Sequence, residues 1–184
     1  LPKPTGKPEN PSDTNWITAD LYKQFEAYDC PIELKEASTT THDPAKPMIS
    51  CDERMGVKYI LGPQEIPGDQ ISDAYAQLAR GVNGSVTGEW VVVIEFNAEG
   101  TKTFADTTQR LISLTGSRNQ FAIVLDGNTI SAPTTNAVIS DGRPQISGGF
   151  TQETSQALAE QLKYGALPIS FDIQSEQQVS ATLG

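Results

Sequence analysis

Apolar residues along this chain recur with two spacings, and each change of spacing marks a strand giving way to a helix. From Trp90 to Phe96, the residues Trp90, Val92, Ile94 and Phe96 share one face of an extended segment. Val91 and Val93 make the other face apolar as well, which predicts a central strand covered on both sides. Asn97 then caps a helix carrying Phe104, Thr108, Leu111 and Ile112 on one side. Phe121–Leu125 reads as the next strand. Asp126, Gly127 and Asn128 supply the turn of a hairpin, and Thr129–Ala132 starts the returning strand, whose pairing Pro133 limits. A short strand pair is expected around Val138–Ile139 and Gln145–Ser147, flanking the turn Ser140–Pro144. Thr151 caps a last helix that turns Ala157, Leu158 and Leu162 inward and stops at Gly165, and Ile169–Ile173 is a final strand.

The first half is less regular. Residues 1–13 carry a proline every few positions and no apolar periodicity, which predicts an extended, mobile linker. Thr18 can cap a short helix with Leu21, Phe25 and Tyr28 near one face, ended by Cys30-Pro31. Val57–Leu61 reads as a strand stopped by Gly62-Pro63. Asp69 suits the N-cap of a helix in which Ile71, Ala74, Tyr75 and Leu78 share a stripe, closed by Gly81. From residue 90 the order is strand, helix, strand, hairpin strand, helix, strand. The fold class expected is α+β: a ferredoxin-like antiparallel sheet with helices on one face, plus an N-terminal helical and loop extension. The division expected is 1–13 linker, 14–56 helix and disulfide loop, 57–174 α+β subdomain and 175–184 a strand leading away.

Length and composition narrow the class. A chain of 184 residues suits one ordinary domain or two small ones, enough for a real core. Only 37% of its residues are hydrophobic, and the longest apolar run, Val91–Ile94, is far short of the roughly 20 residues that span a bilayer. Leu1-Pro2-Lys3-Pro4 has no apolar core behind its charge, so any export signal or anchor is expected outside this stretch. Thirteen basic residues against 23 acidic ones give a net charge of -10, which repels nucleic-acid phosphates and anionic lipids. Nucleic acid is therefore not an expected partner.

Two cysteines, Cys30 and Cys51, flank a polar, weakly structured segment. They are either one disulfide or two buried thiols, and the disulfide is the favoured reading because such a loop gains about 3 kcal/mol from closure. That pairing points to an oxidising, extracytoplasmic compartment. A metal site is not expected, since His42 is the single histidine and no C-x-x-C occurs.

Nucleophile chemistry finds no support. Gly81-Val82-Asn83-Gly84-Ser85 resembles a G-x-S-x-G only superficially, and triad catalysis would have to run through His42 in the polar loop. Gly148-Gly149-Phe150-Thr151 precedes a helix but lacks the lysine of a phosphate loop. Asp126 and Asp141 each stand directly before glycine, as turns require, and their spacing suggests no paired-acid site. No catalytic residue, cofactor or metal is expected. Apolar, adaptable surfaces and sheet edges suit the binding of unfolded chains, but of the two tryptophans Trp90 is expected in the core and Trp16 stays open.

Several segments of the second half together resemble a known family. Phe96-Asn97-Ala98-Glu99-Gly100 with Phe104 and Thr108 is similar to the strand-to-helix signature of SecD proteins. The resemblance continues through Ala122–Gly127, which includes Asp126 and Gly127, and through Ile130, Ser131, Ala132 and Pro133. It extends over Ile146–Thr151, with Gly148 and Phe150, and over Leu162–Pro168, with Gly165, Ala166, Leu167 and Pro168. It spans about residues 57–184, while the linker and cysteine pair are similar to those of actinobacterial members. The resemblance implies the head region of the first large extracytoplasmic domain of a translocase subunit, on the outer side of the cell membrane. It implies SecF and the Sec translocon channel as partners and unfolded preprotein as the substrate, drawn outward with the proton gradient. The membrane helices and proton-carrying acids of that family are not in this sequence. The motif residues have structural readings of their own: Gly127 in a hairpin turn, Gly165 in a left-handed helix cap, Pro168 ending the helix. The alternative from another class is an acidic, non-enzymatic module that binds a small molecule or glycan.

Overall fold

The computed structural model describes residues 3–30, 42–52, 54–164 and 169–177. In chain order its elements are α1 (Ala19–Ala27), β1 (Met48–Asp52), β2 (Val57–Leu61), β3 (Ile71–Arg80), β4 (Val86–Phe96), α2 (Ala98–Leu111), β5 (Phe121–Leu125), β6 (Asn128–Ser131), β7 (Gln145–Phe150), α3 (Gln152–Tyr164) and β8 (Ile169–Gln177). The class is α+β, with antiparallel sheets and three α-helices among the described residues. The order from Trp90 is compatible with the ferredoxin-like expectation, and the strands are shared between two sheets. Contacts gather into two compact units: Leu1–Glu65, Leu111–Asn136 and Pro168–Gly184 in one, Ile66–Arg110 and Ala137–Leu167 in the other.

The first unit carries a five-stranded antiparallel sheet in the order β1-β2-β8-β5-β6. Alternation along β2 sends neighbouring side chains to opposite faces. Ile60 joins Ile17 and Phe25 of the α1 side, while Tyr59 and Leu61 join Ala122 and Val124 of β5. Thr18 caps α1 as expected, its hydroxyl oxygen accepting from the Leu21 N–H at 3.1 Å. Phe25 is fully buried, which contributes about 2 kcal/mol. Lys58 is buried too, and its ammonium donates to the carbonyls of Phe25 (2.7 Å), Glu26 (3.2 Å) and Tyr28 (3.5 Å). A cation thus closes the carbonyl end of α1, where the helix dipole is negative. Cys30 and Cys51 are joined at 2.11 Å and tie the chain after α1 to β1.

The proline-rich start adopts neither helix nor strand over its described residues, but it is held in place. The Asn15 side chain accepts from the Thr5 N–H at 2.8 Å, and Arg118 donates to the Ser12 carbonyl at 3.1 Å. The Trp16 indole N–H donates to the Asn10 carbonyl at 2.9 Å while its ring packs on the Ile17–Phe25 cluster. Asn and Asp side chains accept from backbone N–H groups of this stretch, as Asp13 does from Glu9 at 2.8 Å and Asn10 from Ser12 at 2.9 Å.

The second unit carries the sheet β3-β4-β7. Val91, Val92, Val93 and Ile94 of β4 are all buried, the central strand expected from the two-faced apolar run. Asn97 caps α2, its side-chain oxygen accepting from the Gly100 N–H at 2.9 Å, and Thr151 caps α3 by accepting from Thr154 N–H at 3.1 Å.

Three local expectations are corrected. The helix expected from Asp69 to Gly81 is the strand β3, paired with β4 from Ile71↔Phe96 to Arg80↔Val86. The stripe of Ile71, Ala74, Tyr75 and Leu78 fits helical spacing, but pairing with β4, whose Val91–Ile94 run is buried, overrode it. Val138 and Ile139 form no strand; the Ile139 N–H donates instead to the Thr108 hydroxyl at 3.0 Å. In α3 the buried positions are Ser155, Ala159 and Leu162, so Ala157 lies on the exposed side, and Ile112 likewise is 38% exposed beside a buried Leu111.

Candidate functional site

Among the described residues, a groove that could take a ligand lies in the second unit, where α3 packs along β3. Gln156, Ala159, Glu160, Lys163 and Tyr164 follow the i, i+3, i+4, i+7, i+8 spacing that places side chains on one stripe of a helix. Tyr164 is the one large apolar-bodied residue in that stripe, and it is 80% exposed. Opposite stand Ala74, Tyr75 and Ala76 of β3, and together these eight residues line a groove of about 370 Å³.

Consecutive strand residues point to opposite faces of a sheet. A groove touched by Ala74, Tyr75 and Ala76 therefore runs along the edge of the strand, where backbone N–H and C=O groups lie, and not over one face. In the order β3-β4-β7, β3 is an edge strand, and among the described residues its ladder partner is β4 alone. Alanine is poorly suited to strands, so Ala74 and Ala76 leave space where a larger residue would fill it.

Polar groups at the groove are organised in two short chains. Lys163 meets Asp73 at 3.2 Å, and that hydrogen bond and charge hold its ammonium above the ordinary lysine range. The Tyr75 hydroxyl donates to Glu95 Oε1 at 3.3 Å, and Arg143 meets the same oxygen at 3.1 Å. Burial pushes the Tyr75 phenol above its usual value, and the Glu95 charge adds to that. Lys163 and Arg143 are thus neutralised by carboxylates, while Glu160 forms no ion pair among the described residues. Nothing in the lining combines a nucleophile with a base. Among the described residues no group of three or more His, Cys, Asp and Glu side chains could hold a metal.

Most of the residues singled out from the sequence lie elsewhere. Asp126 (φ 51°) and Gly127 (φ 82°) form the β5–β6 turn, with positive φ at both central positions of a tight hairpin. The Gly127 carbonyl accepts from the Ser50 hydroxyl at 2.9 Å. Ser131 pairs with Ile123, Ala132 packs on the Tyr59–Val124 cluster, and the Pro133 carbonyl accepts from the Phe121 N–H at 3.3 Å. Gly148 and Phe150 lie on β7, Phe150 paired with Trp90. Gly165, Ala166, Leu167 and Pro168 lie outside the described residues. His42 is exposed, 3.0 Å from the Lys46 carbonyl. Lys163 and Tyr164, within the Leu162–Pro168 segment, line the groove; the other described motif residues do not. The helical spacing of Ala74 and Tyr75 hides their place on a strand edge, and the three alanines within Ile71–Arg80 reinforce the helical reading, so the sequence holds no local signal for this edge.

Comparison with known proteins places the chain. The family model described as SecDF, P1 head subdomain, matches residues 46–169. The protein translocase subunit SecD of Streptomyces coelicolor is 38% identical over 173 residues, covering 91% of this chain and 29% of its own length. SecD of Mycobacterium tuberculosis strain H37Rv is 38% identical over 175 residues, covering 93% of this chain and 28% of its own. A crystal structure of SecDF in super-membrane-facing form is 26% identical, covers 62% of this chain and 14% of that one, and has a TM-score of 0.43. The chain spans less than a third of the length of these curated relatives. Among its described residues no helix is long and apolar enough to cross a membrane.

Proposed function

The chain belongs to the SecD family through the SecDF P1 head subdomain, and we propose that it handles unfolded preprotein emerging from the Sec channel on the extracytoplasmic side. On this reading it works in a larger subunit with SecF and the translocon channel, and export draws on the proton gradient. On the same reading residues 175–184 lead back toward a base subdomain. The domain is non-enzymatic, and the residues Asp126, Gly127, Ser131, Ala132, Pro133, Gly148, Phe150, Gly165, Ala166, Leu167 and Pro168 serve the fold. The Cys30–Cys51 disulfide fits an oxidising compartment.

The observation that carries the reading is the unpaired edge of β3 beside its groove. An unfolded chain offers what such an edge lacks, namely free backbone donors and acceptors in extended form. The test is an NMR titration of the isotopically labelled chain with an unfolded preprotein segment and, separately, with the same protein folded. Shifts confined to one patch and seen only with the unfolded form are expected. No shifts even at millimolar segment would overturn autonomous handling. Saturable binding of one sugar or metabolite in the groove, with no response to unfolded chain, would favour the small-ligand alternative.

A further inference from the structure

The way an extended chain would be recognised can be read from β3 itself, given the proposed handling of unfolded preprotein. Natural sheets blunt their edges with proline, lysine, bulges or brevity. β3 has 10 residues and neither proline nor lysine. Its register shifts lie only near its ends, between Ile71 and Asp73 and between Leu78 and Arg80. Between them, from Asp73 to Leu78, pairing with β4 is regular, and Ala74–Ala76 border the groove; the Asp73 carboxylate takes the Ala74 N–H at 2.8 Å, so the open donors of this edge begin beyond Ala74. The opposite edge of the sheet is a poor template by comparison, because β7 carries Gly148 and Gly149 and its pairing with β4 is irregular.

The groove's chemistry narrows the occupant further. Its floor is small, from Ala74, Ala76 and Ala159, and two of its side chains are the aromatic rings of Tyr75 and Tyr164. Lys163 is already matched by Asp73 at 3.2 Å and stands over the Tyr164 ring, 5.7 Å from its centroid, which leaves the Tyr75 ring for an incoming side chain. Glu160 is exposed and, among the described residues, has no basic partner. The chain as a whole carries a net charge of -10. An aromatic face beside an uncompensated carboxylate favours a long cationic side chain, whose stem packs on the ring while its head meets the carboxylate.

We propose that the Asp73–Leu78 stretch of β3 takes up an extended segment of unfolded polypeptide as an added strand, with a lysine or arginine of that segment seated in the groove against Glu160. Backbone hydrogen bonds then supply affinity that does not depend on sequence, and the groove sets a preference for register and charge. A second copy of this chain is a poorer occupant, since each copy carries a net charge of -10.

The experiment uses extended Thr/Val peptides matched in length to β3, with one central arginine, titrated into the labelled chain. Three versions are compared: unmodified, N-methylated at one alternate set of residues, and N-methylated at the other. Strand addition predicts shifts along Asp73–Leu78 and a loss of at least about tenfold in affinity for only one of the methylated versions. Replacing the arginine by glutamate, or Glu160→Lys in the protein, weakens binding by about fivefold, and combining the two changes restores it. Equal affinity for both methylated versions would overturn strand addition while leaving preprotein handling intact. Failure of every unfolded peptide and segment to bind would remove the handling itself. Shifts at β3 that depend on protein concentration alone would assign the edge to self-association and overturn the proposal.

Discussion

The two compact units of this chain treat their unpaired polar groups in opposite ways. In the first, the carbonyl end of α1 receives the buried ammonium of Lys58, and a disulfide anchors the segment behind it. The Ser12 carbonyl receives Arg118, and the Ser50 hydroxyl bridges to Gly127 and Thr129. In the second, caps close the helix starts, but the edge strand β3 faces a groove with small residues and a carboxylate lacking an ion-pair partner. The first unit meets these groups internally, although Asn128 Oδ1 and Thr135 Oγ1 are buried there without a hydrogen-bond partner among the described residues, and the second leaves part of one strand edge open to a partner. The contrast teaches that recognisable residues divide by role: the Asp126-Gly127 turn sits in the first unit, while Lys163 and Tyr164 of the Leu162–Pro168 segment line the groove of the second.

Breaking the first unit's cross-link tests the contrast most strongly. The double change Cys30→Ser and Cys51→Ser is expected to cost about 3 kcal/mol, read as urea unfolding through the amide signals of β2. Equal losses in β4 signals would mean that the units unfold as one body. The reverse experiment is Gly142→Ala. Gly142 has φ 68°, and an added Cβ would collide with the Thr101 hydroxyl, so the change costs about 2 kcal/mol and appears first in β4 signals.

Removing the buried cation is the next largest effect. Lys58→Met leaves the carbonyls at the end of α1 without donors and costs about 1.5 kcal/mol, measured as faster hydrogen exchange in α1. Asn97→Ala removes the cap of α2 and costs about 1 kcal/mol in the second unit. Smallest are two pH effects of opposite sign. Asp13 accepts from the Asn15 and Glu9 N–H groups, each at 2.8 Å, which hold its carboxyl below the ordinary range. Its contribution is fully present above the ordinary aspartate range and is lost as pH falls through the depressed value. Protection of the Glu9 and Asn15 amides, measured relative to their intrinsic exchange rates, should therefore fall in acid. The Lys163 ammonium is held above its usual range by Asp73, so its contribution is complete below that range and is lost as pH rises through the elevated value. Signals of Asp73 and Lys163 should move in alkali, with no matching change at Glu9.

Much of the local structure was legible because it depends on residues close in sequence. Caps at Thr18, Asn97 and Thr151 bond to N–H groups three residues on, and all three sit where side-chain chemistry predicted. The hairpin at Asp126-Gly127 needs two positive φ values, which glycine and aspartate allow at low cost. The α+β class followed from alternation between those signals. The groove was not legible. Its β3 wall satisfies helical and strand spacing alike, and Ala74, Tyr75 and Ala76 stand about eighty residues before Gln156–Tyr164.

The sequence by itself determined the caps, the turns, the buried run Val91–Ile94, the acidic charge and the family, because each rests on short-range chemistry or on residue identity. Tertiary structure decided that Ile71–Arg80 is a strand, that Lys58 closes a helix, and that β3 keeps a free edge beside α3. Those outcomes depend on which distant segment completes a hydrogen bond or an apolar contact. A local pattern states what a segment can bury, and only the assembled neighbours decide what it leaves open.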